Sequence, residues 1–262
     1  MKLWFAVPVL AAALAGAGCD IVTADLRAEE TSPWHKTYQL DPKGRVEIHN
    51  VNGKIVVEPA TGNTVDIEAT RKARGASPEA AKAALERVTI TEDVSAGRIR
   101  IDTKVARSEG LSFMSGGVQV EYHVKVPAGA DVRFSTVNGG VEVTGLDGHV
   151  FAETTNGGVI AKNIAGQLEA STTNGGLEID LASMPEGGVK LDCTNGGIKV
   201  TLPRTTRATI SASITNGGIN ADNLSLESTG ENNRRHLEGR LNGGGPRLEV
   251  EGVNGGIKLI GR

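Results

Sequence analysis

The residues able to do chemistry are few and scattered. Five histidines stand at 35, 49, 123, 149 and 236, and two cysteines at 19 and 193. Acids recur at Glu142, Glu153, Glu169, Glu178, Asp180 and Asp192. Histidine and cysteine bind metal when spaced as His-Glu-x-x-His or Cys-x-x-Cys, and neither spacing occurs. There is no Gly-x-Ser-x-Gly nucleophile turn. The glycine-rich turns carry no Gly-Lys-Ser/Thr and no helix follows them, so they are not phosphate loops. They also lack the Asp of the calcium-binding nonapeptide. Paired carboxylates on one face of a β-helix can cleave polysaccharides. Sugar sites, however, usually add aromatic platforms. Beyond residue 18 the aromatics are Trp34, Tyr38, Phe113, Tyr122, Phe134 and Phe151, and Phe134 falls at an inward position. Charges on a solvent face are the ordinary case. The expectation is no enzyme, no metal and no cofactor.

The elements that would position any site are set by a repeat. Asn-Gly-Gly recurs with its Asn at 138, 156, 174, 195 and 216, at intervals of 18 and then 21 residues. A fixed period of this size marks a repeat architecture. Six and four residues before each Asn lie the apolar pairs Val132 and Phe134, Val150 and Ala152, Leu168 and Ala170, Val189 and Leu191, Ile210 and Ala212. Three and five residues after it lie Val141 and Val143, Val159 and Ala161, Leu177 and Ile179, Ile198 and Val200, Ile219 and Ala221. Each pair alternates with polar residues, so each marks a strand with one buried face. The inward parity is even before the Asn and odd after it, and the glycines absorb the change. Two strands and two turns per period describe one coil of a flattened all-β solenoid, the fold class expected here. Coils stacked about 4.8 Å apart bring equivalent residues into ladders. One inward ladder reads Thr136, Thr154, Thr172, Cys193, Ile214. The Asn residues 138, 156, 174, 195 and 216 form another, their amides bonding from coil to coil. Independent Asn-Gly hairpins are the competing arrangement, but a meander needs no 18-residue register.

The chain opens with Lys2 and an apolar run from Leu3 to Gly18, the length of a signal-peptide core rather than of a membrane span. It ends in Leu14-Ala15-Gly16-Ala17-Gly18-Cys19, which resembles the lipobox of bacterial lipoproteins. That resemblance implies a lipid on Cys19 and a mature protein starting there. Gly16 stands where the lipobox usually has Leu, and cleavage after Ala17 is the alternative. With residues 1–18 removed, 27 basic and 31 acidic residues remain, which is no basis for nucleic-acid binding. Cys193 reads as a small apolar occupant of its ladder.

Residues 19–38 show no sustained period and read as the lipidated N-terminus and a tether. A strand-and-helix section follows over 39–130, and the repeat solenoid with its closing coil over 131–262. Val46, Ile48, Ile55 and Val57 stand around Asn52-Gly53 at the repeat offsets, so Asn52 looks like an outlying first copy. One short helix is predicted over about 77–88, with Ser77 as N-cap, Pro78 in the first turn, and Ala80, Ala81, Ala84, Leu85 and Val88 on one face. It would cover a sheet face or plug the open end of the solenoid. The Gly/Ser loop at 108–117 carries Leu111, Phe113 and Met114. Its tip, Phe113 included, either makes contacts or tucks against the fold.

The stretch from Val118 through Val126-Pro127-Ala128-Gly129 into Asn138-Gly139-Gly140, together with Gly243–Leu259, resembles the bacterial "putative adhesin" β-solenoid family, akin to the head GIN domain. The resemblance spans roughly residues 40–262 and implies a β-solenoid in exported proteins and lipoproteins. It brings no catalytic residues with it. Between Asn216 and the last coil the register breaks, and residues 225–240 read as an excursion. Arg234, Arg235, His236 and Arg240 form a basic cluster there. It either meets an anionic or acidic partner or is a solvated loop balancing Glu227, Glu231 and Glu238. Together these readings predict a non-enzymatic cell-envelope lipoprotein, an adhesin or scaffold binding an envelope polymer or protein. End-to-end self-association through open solenoid ends is a further expectation. A regulatory component docking on a membrane protein and a polysaccharide-active enzyme are the alternatives.

Overall fold

The computed structural model describes residues 28–106 and 117–262. Cys19 and Phe113 lie outside the described residues. No helix among those described is long and apolar enough to cross a membrane. The N-terminal section comprises β1 (Ala28–Gln39), β2 (Arg45–His49), β3 (Ile55–Ala60), β4 (Thr64–Gly75), α1 (Pro78–Glu86), β5 (Val88–Ser95), β6 (Arg98–Val105) and β7 (Val118–Pro127). The repeats supply β8 (Asp131–Asn138), β9 (Val141–Thr144), β10 (Val150–Asn156), β11 (Val159–Ile164), β12 (Leu168–Asn174), β13 (Leu177–Leu181), β14 (Val189–Asn195) and β15 (Ile198–Leu202). The chain closes with β16 (Ala208–Asp222), β17 (Leu226–Ser228), β18 (His236–Leu241) and β19 (Arg247–Gly261).

These strands stack as two walls of a β-solenoid. The first wall runs β6–β2–β8–β10–β12–β14–β19–β16, all in parallel register. The second runs β7–β3–β9–β11–β13–β15–β19–β16, also parallel. The predicted parity holds: Val132, Phe134 and Thr136 point inward before the Asn, and Val141 and Val143 after it. Asn52 pairs with Asn138 as the first copy, beside Val46 opposite Val132.

Antiparallel strands close the ends, where parallel stacking would leave backbone unpaired. At one end β5 pairs with β6, and β1 and β4 extend the second wall. Ser77 caps α1 through the Ala80 amide at 3.2 Å, and Ala81 and Ala84 are buried, whereas Ala80 is exposed rather than on the packed face. At the other end β18 lies antiparallel on β16, and β17 on β18.

Three expectations need correction. The tether does not reach residue 38, because Ala28–Gln39 is a full edge strand paired with Thr64–Gly75. Its alternation escapes the sequence because an edge strand buries little, and only Trp34 and Tyr38 pack against the core. Residues 225–240 are an antiparallel cap rather than an irregular excursion. Lastly, Cys193 is not stacked on Ile214. β19 inserts between β14 and β16, so the ladder reads Thr136, Thr154, Thr172, Cys193, Gly252, Ile214. Gly252 leaves room for Ile214, whose Cδ1 would stand 3.2 Å from a Cβ at that position.

A cluster of charge stands on the outside of the first wall. Glu47 is 6 % exposed beneath three arginines: Arg98 donates to it at 2.8 Å, and nitrogens of Arg45 and Arg100 stand 4.0 Å away as ion-pair partners. Burial alone would push its carboxyl up, but the Arg98 hydrogen bond and charge, with Arg100 and Arg45, outweigh burial and hold it below its ordinary 4.5. A depressed carboxyl contributes stability that is present above its unfolded value and lost as pH falls through the folded one. Glu47→Gln is therefore expected to cost about 1 kcal/mol at neutral pH, since the arginines are half exposed and screened. It should also flatten the loss of stability below about pH 4.5, read from urea midpoints against pH.

Candidate functional site

The turns between the walls do two separate jobs. Each Asn side chain bonds to the next coil: Asn138 donates to Asn52 at 2.7 Å, Asn156 to Asn138 and Asn174 to Asn156 at 2.9 Å, and Asn195 to Asn174 at 3.0 Å. The ladder then passes to Asn254, which donates to Asn195 at 2.8 Å, and only then to Asn216, which donates to Asn254 at 2.9 Å. Inside the turn, Thr154 and Thr172 donate to the carbonyls of Gly139 and Gly157 at 2.7 and 2.8 Å. These hydroxyls satisfy carbonyls that would otherwise be buried unpaired. Cys193 takes the same place, its Sγ 3.4 Å from the Gly175 oxygen. Burial pushes its thiol up, which suits a packing role.

The first glycine of each turn is demanded by the stack. At Gly175 φ is +155°, and a Cβ would overlap the carbonyl oxygen of Gly157 one coil away. The second glycine is different. At Gly197 and Gly256 the nearest atoms to an added Cβ are carbonyl oxygens at 3.7 and 3.8 Å, ordinary contact, and φ lies outside the left-handed range. In the first coil the equivalent position is Lys54, whose ammonium reaches Glu142 at 2.5 Å. A side chain is thus compatible with this place at Gly197 and Gly256, whereas at Gly140, Gly158 and Gly176 a Cβ would press on the next coil's carbonyl oxygen at 3.2, 3.0 and 3.3 Å. Yet Gly140, Gly158, Gly176, Gly197, Gly256 and Gly218 leave it bare in six consecutive coils. Glycine in a strand forfeits packing and carries an entropic cost of about 0.5–1 kcal/mol against Ala. Packing asks for no glycine at Gly197 and Gly256, so that part of the row is the feature most in want of a function.

Its result is a furrow on the outside of the second wall, roughly 19 Å long over the coils from Gly158 to Asn220 at the spacing of stacked coils. The groove has a volume of about 590 Å³ and is floored by Gly158, Gly176, Gly197 and Gly256, with Ile160 beside them. Lys199, Glu178, Lys258 and Asn220 stand along its border. The two lysines are held by ion pairs, Lys199 to Glu178 at 3.0 Å and Lys258 to Asp222 at 3.2 Å. No aromatic side chain lines it.

Arg234 reaches the end of this furrow, its Nε 3.3 Å from where a Gly218 Cβ would lie. Its carbonyl accepts from the Ile219 amide at 2.9 Å, and that of Arg235 accepts from Ile214 at 2.9 Å. Both side chains are exposed. The rest of the basic cluster disperses: His236 turns to Glu238 at 3.4 Å, Arg247 to Glu249 at 3.3 Å, and Arg240 lies against Gly244. The outward acids are likewise spread over both walls, with Glu142 and Glu178 held by lysines. Asp192 is the exception on the first wall: burial pushes its carboxyl up, and Glu249 and Glu169 add to this against Lys190. The furrow escapes sequence reading because its signal is a side chain withheld. Comparing Lys54 with the later second glycines was the available clue.

The Toastrack DUF4097 family model matches residues 42–259. Among solved structures, the chain is similar to a "putative cell adhesion protein" from Clostridium sporogenes at 14 % identity, covering 88 % of this chain and 100 % of that one, with a TM-score of 0.48. It is also similar to a "putative adhesin" from Bacteroides fragilis at 10 % identity, covering 88 % and 97 %, with a TM-score of 0.35. No curated protein matches the chain.

Proposed function

The chain belongs to the Toastrack DUF4097 family, and from that premise we propose that it is a non-enzymatic binding module of the bacterial cell envelope. In this reading the signal-peptide pattern exports it, Cys19 carries a lipid that anchors it, and the furrow on the second wall takes an extended segment of a protein partner. One observation carries the proposal: Gly197 and Gly256 keep glycine where a Cβ would fit and where the first coil carries a lysine. A bare, rigid trough lets another backbone approach closely, the use to which glycine rows in strands are put. The border of Lys199, Lys258 and Arg234 with Glu178 supplies paired charges for register rather than bulk attraction. A polypeptide suits it better than a glycan, since sugar rings find no aromatic face there.

The test is co-sedimentation of residues 20–262 with intact cells and with protein-free sacculi. Saturable binding to cells, abolished by protease treatment of the cells and reduced at least about tenfold by Gly197→Lys, is the expected result. Gly197→Lys should keep the wild-type melting behaviour, because a Cβ there meets only ordinary contact and Lys54 holds the equivalent place in the first coil. Binding to sacculi instead would replace the polypeptide with a wall polymer. Binding to neither, or binding indifferent to Gly197→Lys, would remove the furrow from the account. In the full chain, Cys19→Ser should move the protein from the membrane to the soluble fraction.

A further inference from the structure

Away from the furrow, three adjacent strands gather imidazoles and carboxylates on the same outer wall. The register of β1 on β4 sets His35 opposite Glu68 and Thr37 opposite Asp66. The register of β4 on β7 sets Glu68 opposite His123 and Asp66 opposite Lys125. Since alternate residues share a face, Asp66 and Glu68 point out together, with an imidazole in line on either side of Glu68. His35 Nε2 lies 2.5 Å from Asp66 Oδ1. His35, Asp66 and Glu68 each bring a ligand atom within 4.8 Å of the other two, and they are the trio among the described residues that does so. A concavity of about 240 Å³ is lined by Asp66 and Glu68 together with Glu58, His123 and Lys125.

We propose that His35, Asp66 and Glu68 form a binding site for a divalent first-row transition ion, with Zn2+ the favoured occupant and the fourth position open towards His123. The donor set is one imidazole nitrogen and two carboxylate oxygens, which suits such ions, whereas calcium and magnesium take oxygen alone. A tetrahedral ion with bonds of about 2.0–2.2 Å holds its ligand atoms roughly 3.3 Å apart. The separations here, from 2.5 to at most 4.8 Å, bracket that value, so small side-chain rotations complete the site. Lys125 offsets one of the three carboxylate charges of Glu58, Asp66 and Glu68, and the remainder still attracts a dication. The ion would fasten β1, which among the described residues pairs only with β4, to the body of the wall. His149 with Glu169 at 3.3 Å and His236 with Glu238 at 3.4 Å offer two ligands each and serve as controls.

Calorimetric titration of the chelator-treated full chain with zinc chloride tests this. One saturable Zn2+ per chain is expected, with a thermal midpoint that climbs with free zinc. His35→Ala and Asp66→Asn should each weaken binding at least about tenfold, and His149→Ala should leave it unchanged. Excess calcium should not displace the zinc. No saturable uptake up to about 1 mM zinc, a limit equivalent to about −4 kcal/mol of binding, would overturn the proposal. So would uptake unchanged in the His35→Ala/Asp66→Asn double variant, or displacement by calcium. Both substitutions are at outward positions near the sheet edge, and circular dichroism before titration establishes that the variants are folded.

Discussion

Gly175→Ala is expected to cost about 3 kcal/mol or more, while Gly197→Ala, in the next coil, changes stability by less than about 1 kcal/mol. The two substitutions add the same methyl group to adjacent turns. At Gly175 the backbone is at φ +155°, and the methyl would overlap the Gly157 carbonyl, which also accepts the Thr172 hydroxyl. Relief would require the coils to separate, breaking the Asn156–Asn174 and Asn174–Asn195 bonds on either side. At Gly197 the methyl meets only the Gly256 oxygen, at 3.7 Å. There it reduces the freedom of the unfolded chain and opposes nothing in the folded one. Urea denaturation followed by far-ultraviolet circular dichroism would measure both. Equal costs at the two sites would show that the coils slide more freely than the carbonyl geometry allows.

The second large effect is at Phe134. Its side chain is fully buried, with Ile48 stacked on one side and Ala152 on the other, followed by Ala170. One large residue thus fills the space that two alanines leave, an alternation of sizes along the axis of a stack of fixed spacing. Phe134→Ala would put three alanines in succession and leave a cavity that the rigid coils cannot close. The expected cost is about 3–5 kcal/mol, and Phe134→Leu should recover most of it. Because stacked coils contact mainly their neighbours, the loss should appear first around β2, β8 and β10. Hydrogen exchange resolved along the chain would show faster opening there than in β14 and β15. Uniform acceleration would mean that the solenoid unfolds as one unit.

Much of the fold was legible because parallel stacking repeats the same environment at a fixed sequence interval. A strand of Val132-x-Phe134-x-Thr136 returns as Val150-x-Ala152-x-Thr154, and the shared parity around Asn138 and Asn156 reveals both walls and the turn between them. The cap by Ser77 and Pro78 was legible for a similar reason, being a local matter of a few residues. The candidate sites were far less so. A bare furrow is written in glycines that look like any other turn glycines until their surroundings are known. His35 and Glu68 are more than thirty residues apart, and only the register of β1 on β4 makes them neighbours.

The sequence by itself determined the coil: its two strands, its inward faces and its Asn-Gly-Gly corner, all fixed by alternation and by what glycine permits. Only the tertiary structure decided the order of the coils. Any two Asn-Gly-Gly coils carry the same edge groups, so nothing local tells Asn254 whether to follow Asn216 or precede it. The outer edge of β16 is occupied by β18 over Ala208–Ser213, and the inner edge is therefore the one that β19 takes, against β14 and β15. Backbone hydrogen bonds are satisfied along both edges of the inserted strand, and Gly252 leaves room for Ile214 beside it.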